Sequence, residues 1–328
     1  MKVAIVGATG LVGRNIIKES EKLLPDETEY YLFASSKSSG KSLTINNKDV
    51  IVEELNTKNI GEYDIALFSA GGDRSKEFAE HFISQGAYVI DNSSAFRMQE
   101  DVPLIVYGIN ESEITSTTKL IANPNCTTMG LVMALKPLHD KFNLHTITPV
   151  AYQAVSGSGT EAVESLKNEE SLDPKALLKY EKTFYPKPIA RNVIPLAGNF
   201  TENQYSDEEM KIVYESRKIL DIPELIVEPS NARVGVVTGH GVFCSAVFEK
   251  EIDIEEAINV LNNFEGVEYW SETLATPLDA ENNNNVLVSR LRRGLSSKKI
   301  INFWCVSDNL LKGAALNAVQ IASCLVNK

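Results

Sequence analysis

No stretch of this sequence approaches the run of roughly 20 apolar residues that a bilayer-spanning helix needs. The opening segment, "MKVAIVGATGLVG", lacks a signal-peptide core and cleavage site and reads as a first strand and turn, so a cytoplasmic protein is expected. Positive charge is scarce: 32 Lys and Arg face 44 Asp and Glu, a net charge of −12. That balance argues against a nucleic-acid partner, because the phosphate backbone needs a basic footprint. An anionic substrate would have to be held by a few local cations. The four cysteines, Cys126, Cys244, Cys305 and Cys324, lie far apart without a C-x-x-C pair. A zinc site or disulfide framework is therefore not expected, and no metal site is predicted. Histidine is equally rare: His81, His139, His145 and His240. What remains is the profile of an ordinary globular chain, 43% hydrophobic and 23% charged. Its 328 residues suffice for about two domains.

The first 125 residues alternate strand and helix. "KVAIVG" (2–7), "YYLFAS" (30–35), "DIALFSA" (64–70), "AYVIDNS" (87–93) and "KLIANP" (119–124) read as strands. Several are apolar on consecutive residues, as strands covered on both faces should be. "LVGRNIIKESEKLL" and "DRSKEFAEHFISQG" have helical periods. The alternation predicts an α/β, Rossmann-type, doubly wound parallel sheet. After Cys126 the pattern changes. "CTTMGLVMALKPLHDKF", 206–220 and "EIDIEEAINVLNNF" read as helices, while 145–155 and 232–250 are long strand-rich runs. An α+β second domain with an antiparallel or mixed sheet is expected over 126–308. The last helix, 309–328, is expected to pack back and complete the 1–125 domain.

"VGATGLVG" places Gly7, Gly10 and Gly13 after a strand and at the start of a helix. Glycines permit the tight turn and close backbone approach, and the helix N-terminus receives a phosphate. The alternative is a glycine turn needed only for packing. An NAD site usually has Asp or Glu at the end of the second strand. Here the segment reads "FASSKSSGKSL", with Ser35, Ser36, Lys37 and Ser38. Hydroxyls and one cation suit the 2′-phosphate of NADP; a solvated Ser/Lys loop is the plainer alternative.

Cys126 stands where a strand stops and a helix starts, at the carboxyl end of the sheet where open α/β proteins place ligands. A helix N-terminus favours the thiolate, the nucleophilic form. By itself the residue is as readily a small buried side chain. His240, flanked by glycines, is the candidate proton partner. Arg233 lies seven residues earlier on the same strand-like run. That odd spacing puts the two on opposite faces of a regular strand unless the chain bulges or turns near Gly235 or Gly239.

Taken together, "GATGLVG", "SAGGDRSKEFA", "DNSSAFRM", "NPNCTT", "YQAVSGSGTEAV", "EEMKIVYESRKIL", "ARVGVVTGH" and "DNLLKGAALNAVQIA" resemble the aspartate-β-semialdehyde dehydrogenase family along nearly the whole chain. The resemblance implies roles residue by residue. Cys126 corresponds to the nucleophile, His240 to the general acid/base and Gln153 to the glutamine that orients substrate and thiol. Arg233 corresponds to the arginine for the substrate α-carboxylate and Glu208 to the glutamate near its amino group. Arg97 and Lys211 correspond to the phosphate-holding cations. Asn125 is a candidate oxyanion donor. The cofactor is expected at Gly7, Thr9, Gly10, Leu11, Val12 and Gly13, at Ser35–Ser38, at Ser156 and Gly157, and at Asn309. Thr127, Gly235, Leu311 and the Gly-Val after His240 depart from the family's usual residues without removing a catalytic group.

The implied reaction is NADPH-dependent conversion of 4-phospho-L-aspartate to L-aspartate 4-semialdehyde and phosphate through a Cys126 thioacyl enzyme. It belongs to the aspartate-derived pathway to lysine, methionine, threonine, isoleucine and diaminopimelate. The resemblance also implies a catalytic and dimerisation domain and a homodimer, or a homotetramer built from dimers. Two rivals are an N-acetyl-γ-glutamyl-phosphate reductase, where an acidic Glu208 would have no ammonium to meet, and an NADP-sensing protein without chemistry.

Overall fold

The computed structural model describes residues 1–326. The chain forms two compact units, one of residues 1–125 with the segment from Ala314 onward, the other Cys126–Gly313. Asn327 and Lys328, the end of the expected 309–328 helix, lie outside the described residues.

In the first unit β1 (Lys2–Val6) leads to α1 (Leu11–Leu23), then β2 (Glu29–Ala34), β3 (Ser42–Ile45), β4 (Lys48–Glu54), β5 (Ile65–Phe68), α2 (Gly72–Ser84), β6 (Tyr88–Asp91) and β7 (Leu120–Ala122). The sheet order is β3-β4-β2-β1-β5-β6-β7. Every pair is parallel except β3 with β4. Each of the five expected strand segments overlaps one of these parallel strands. Their apolar runs are explained by burial on both faces: Val3, Ala4, Ile5 and Val6 are all fully covered. A side chain such as Ile5 contributes about 2 kcal/mol by leaving water. The chain runs from β1 to β2 on one side and β5 pairs with β1 on the other, so the strand order reverses there. The β3–β4 hairpin was not anticipated. Its turn is Asn46-Asn47, both at positive φ (49° and 58°), the backbone that a tight two-residue hairpin demands.

The second unit runs through α3 (Cys126–Phe142), β8 (Leu144–Gln153), α4 (Thr160–Glu170), α5 (Pro174–Leu177), β9 (Val193–Ile194), α6 (Asp207–Leu220), β10 (Ile226–Val227), β11 (Ser230–Val234), β12 (His240–Phe248), α7 (Ile254–Asn262), β13 (Val267–Trp270), α8 (Pro277–Ala280), β14 (Val286–Arg293) and β15 (Ile300–Ser307). Its mixed sheet has the order β13-β14-β15-β12-β8-β11-β9, with β10 also beside β8. Helix α3 packs on β8 and β12 and against α6 and α7. The expected strand-rich run 232–250 is two strands, not one. It breaks after Val234 and resumes at His240, with Gly239 at φ 98°. β11 and β12 lie on opposite edges of β8: Arg233 pairs with Gln153, and Gly241 with Tyr152. The parity problem between Arg233 and His240 disappears because they do not share a strand.

The C-terminal helix α9 (Leu316–Val326) belongs to the first unit, where Ala318, Val319, Ile321 and Ala322 join Ile16 and Ile17 of α1 in the core. Asn309 to Gly313 cluster with the second unit. Among the described residues no helix is long and apolar enough to cross a membrane.

Candidate active site

The second unit holds all the nominated catalytic residues and most of the nominated substrate-binding ones. Cys126 opens α3 and is half-buried. Gln153 ends β8 and is almost fully buried. Its Nε2 donates to Thr127 Oγ1, next to Cys126, at 2.9 Å, and to Glu208 Oε2 at 3.1 Å. The next residue in the chain, Ala154, donates its backbone N–H to His240 Nδ1 at 3.0 Å. Its carbonyl accepts from Arg233 Nη1 at 2.7 Å. Two consecutive residues thus tie the start of α3, the imidazole, the guanidinium and the carboxylate.

His240 Nε2 and Arg233 Nε are both buried and have no hydrogen-bond partner among the described residues. Unsatisfied buried donors carry a desolvation cost of about 1–3 kcal/mol each, which a bound ligand can remove. Gly157 sits beside them. A Cβ there would come within 3.0 Å of His240 Nε2 and 3.5 Å of Arg233 Nη1, so only glycine leaves this space open. Burial, then the nearby Arg233 charge, pushes the His240 pKa down to about 3, against a smaller opposing pull from Glu208.

Glu208 and Glu209 are separated by their partners. Glu209 belongs to a capping box at the start of α6: its Oε2 accepts from Ser206 N at 2.7 Å and Ser206 Oγ accepts from Glu209 N at 3.1 Å. Its other oxygen accepts from Asn231 N at 2.9 Å. Glu208 instead faces Gln153 and takes Lys211 Nζ at 2.5 Å. Asn309 has both amide ends engaged: Oδ1 accepts from Gly239 N at 2.9 Å and Nδ2 donates to Ser156 Oγ at 2.9 Å. It therefore fixes the residue before His240 to the turn that carries Gly157.

The first unit holds the other nominated residues. Arg97 is buried, not a surface charge; its Nε donates to Asn123 O and Nη2 to Asn92 O, each at 2.9 Å. Those carbonyls end neighbouring strands and are braced by a side-chain bond from Asn123 to Asn92 (2.8 Å) and one from Asn317 of α9 to Asn123 (2.7 Å). Asn125 is buried at the end of this segment.

A cavity of about 320 Å³ opens where the strand order reverses, lined by Gly7, Thr9, Gly10, Ser35, Ser36, Ser69 and Arg74 among others. Gly7 has φ 88°, and a Cβ there would lie 2.7 Å from Ser69 O. A Cβ at Gly13 would lie 2.2 Å from Gly7 O, so the helix seats on the turn only with glycine in that place. Leu11 and Val12 form the first helical residues, with the open N-terminus of α1 above the turn. This backbone cradle fits a dinucleotide phosphate. Lys37 and Ser38 continue a short 3₁₀ turn from Ser36, and Ser38 Oγ accepts from Thr9 Oγ1 at 3.4 Å. Arg74 and Glu54, both absent from the expectations, also line the cavity.

Residues 2–117 match the semialdehyde dehydrogenase NAD binding domain, and residues 135–312 the semialdehyde dehydrogenase dimerisation domain. The aspartate-semialdehyde dehydrogenase of Aquifex aeolicus is 43% identical, over 100% of this chain and 98% of its own. That of Bacillus subtilis is 38% identical, over 99% and 97%. The crystal structure of aspartate semialdehyde dehydrogenase II from Vibrio cholerae complexed with ASA superposes with a TM-score of 0.94 at 37% identity, covering 100% of this chain and 98% of that one.

The chain belongs to the aspartate-semialdehyde dehydrogenase family.

Membership makes it an oxidoreductase with a nicotinamide-dinucleotide domain and a dimerisation domain. Two residues of the site had no role in the sequence reading. Tyr185 lies under Arg233, with the guanidinium carbon 5.7 Å from the ring centre, and its hydroxyl donates to Ser158 Oγ at 3.0 Å. Nothing in "TFYPKP" signals this. Thr127 appeared only as a departure from family usage; its partnership with Gln153 depends on a strand 26 residues away.

Proposed function

We propose that the protein is an NADP-dependent aspartate-semialdehyde dehydrogenase that converts 4-phospho-L-aspartate to L-aspartate 4-semialdehyde and phosphate. The observation that carries this reading is the Gln153–Ala154 clasp, which holds the helix start bearing Cys126 and the His240 ring in one frame. Around it stand an arginine with a buried unpartnered Nε, a carboxylate and a lysine. That set complements a substrate with an α-carboxylate, an ammonium and a phosphoryl group.

Cys126 attacks the acyl carbon as a thiolate, forming the C–S bond of a thioacyl enzyme as phosphate departs. Arg233 receives the α-carboxylate and Glu208 the ammonium. Lys211 holds the phosphoryl group, and Arg97 is assigned as its second cation. Gln153 orients the thiol-bearing helix start toward the substrate. His240 is the acid/base that protonates the thiohemiacetal oxygen once it forms. NADPH, when bound, supplies the hydride that reduces the thioacyl carbonyl. Collapse of the resulting Cys126 thiohemiacetal returns the sulfur and frees the aldehyde.

The preference for NADP over NAD rests on Ser35, Ser36, Lys37 and Ser38, with Arg74 as a cation lining the cavity beside Ser35 and Ser36. The product feeds synthesis of lysine, methionine, threonine, isoleucine and diaminopimelate. The test runs the reaction backwards: protein, NADP, phosphate and the semialdehyde should generate NADPH absorbance, and omission of phosphate should abolish steady turnover. Turnover that does not need phosphate would overturn the assignment.

A further inference from the structure

Asp91 ends β6, is fully buried, and accepts hydrogen bonds at both carboxylate oxygens. Ser75 Oγ, on α2, donates to Oδ1 at 2.6 Å and also lies 3.1 Å from Gly71 O. Ser93 Oγ donates to Oδ2 at 2.5 Å and itself accepts from Ala95 N at 3.1 Å. A hydroxyl that accepts from a backbone N–H turns its single hydrogen elsewhere, and here it turns to Asp91. Burial lifts the Asp91 carboxyl above its usual range, while the two hydroxyls, the Ser93 N–H and the Arg97 charge pull it back.

What this group holds is the turn that leads to Arg97. Asn92 stands between Asp91 and Ser93, and its carbonyl accepts from Arg97 Nη2 at 2.9 Å. The Asp91–Ser93 bond therefore closes the chain around a carbonyl that the guanidinium uses. The bond from Ser75 fastens the same turn to α2, whose start at Gly72 follows Ser69 and Ala70 of the nucleotide cavity. All of these residues belong to the first unit.

Resting on the assignment of Arg97 as a phosphate cation, we propose that Asp91 is a positioning residue for the phosphate site: through Ser75 and Ser93 it fixes the turn that aims Arg97. Charge and geometry predict opposite outcomes here. A carboxylate acting only as a charge would repel phosphate, so removing it would tighten phosphate binding. A carboxylate that positions Arg97 does the reverse, and its removal weakens phosphate binding although the site becomes less negative. An amide in its place offers one acceptor oxygen instead of two, so one hydroxyl loses its hold.

The test uses the whole enzyme in the aldehyde-oxidising direction, with NADP and semialdehyde saturating and phosphate varied. Asp91→Asn is expected to raise the KM for phosphate about tenfold with kcat within about threefold of wild type. Ser93→Ala, which leaves the Ser75 bond in place, should raise it about threefold, and Ser93→Thr, which keeps the hydroxyl, should return it to the wild-type value. The KM for semialdehyde and the Kd for NADP should stay within about twofold in every variant, a pattern that general loosening of the fold would not give. In an Arg97→Ala background, Ser93→Ala should add less than about twofold, because both changes act through one group. A fall in phosphate KM in Asp91→Asn, equal rises in all three constants, or an undiminished Ser93→Ala effect without Arg97 would each overturn the proposal. Should Asp91→Asn fail to fold, the Ser93 variants decide: an unchanged phosphate KM in Ser93→Ala overturns it. A wild-type phosphate KM in Arg97→Ala would instead remove the assignment of that cation, and steady turnover without phosphate would remove the reaction, so the failures are distinct.

Discussion

The two units build their sites from different materials. In the first, the nucleotide cavity is lined by a glycine turn, a helix start and the ends of parallel strands. In the second, the chemistry is assembled from side chains on α3, β8, α6, β11 and β12, bound through Gln153 and Ala154. A backbone site is written within a few consecutive residues, and damage to it should spare the other unit. A side-chain site is written across the chain, and damage at one member should reach the rest.

The largest effect expected is at the proposed nucleophile. Cys126→Ala should lower turnover by about 10⁴-fold or more with little change in melting temperature, measured by assay and calorimetry. Next is Gly157→Ala, whose methyl would crowd His240 Nε2 at 3.0 Å. Turnover should drop about 10²-fold, while the rate of Cys126 alkylation stays within about twofold. Gly7→Ala sharpens the contrast from the other side. Its positive φ and its 2.7 Å approach to Ser69 O make the cradle deform. Titration should show dinucleotide binding weakened by about tenfold or more, again with normal Cys126 alkylation. If alkylation falls together with dinucleotide binding, the two sites are not independent. Lys37→Ala is a smaller, more selective change: NADP affinity should fall about tenfold and NAD affinity by less than about twofold, read by the ratio of the two dissociation constants.

The smallest effect concerns pH. Folded His240 has its pKa lowered to about 3 from an ordinary 6.5. Between those values the unfolded chain binds a proton that the folded chain does not. Its contribution is therefore fully present above pH 6.5 and is lost as pH falls toward 3, by up to about 1.4 kcal/mol per pH unit. Urea unfolding of wild type and His240→Gln from about pH 7 to about pH 5 should show the steeper loss in the wild type.

The same contrast explains what the sequence disclosed. The turn after β1, the helix at Cys126 and the apolar parallel strands obey local rules, so they were legible. The β3–β4 hairpin was not anticipated because its strands are largely exposed and lack the buried apolar runs of the parallel strands. The break between Val234 and His240 was not readable, because "ARVGVVTGHGVF" keeps strand composition throughout and only the two different edges of β8 divide it. Contacts that depend on long-range pairing, such as Tyr185 under Arg233 or Ala154 holding Arg233 and His240 through its backbone, have no residue-type signal at all. Glu208 and Glu209 look alike in sequence and differ only in what each reaches.

The most direct measurement is intact-mass spectrometry of the enzyme mixed with NADP and L-aspartate 4-semialdehyde in the absence of phosphate. A mass gain of one aspartyl acyl group, mapped to Cys126 and discharged on adding phosphate, is the predicted result. An unmodified Cys126 under conditions where one equivalent of NADPH has formed would contradict covalent catalysis by this residue.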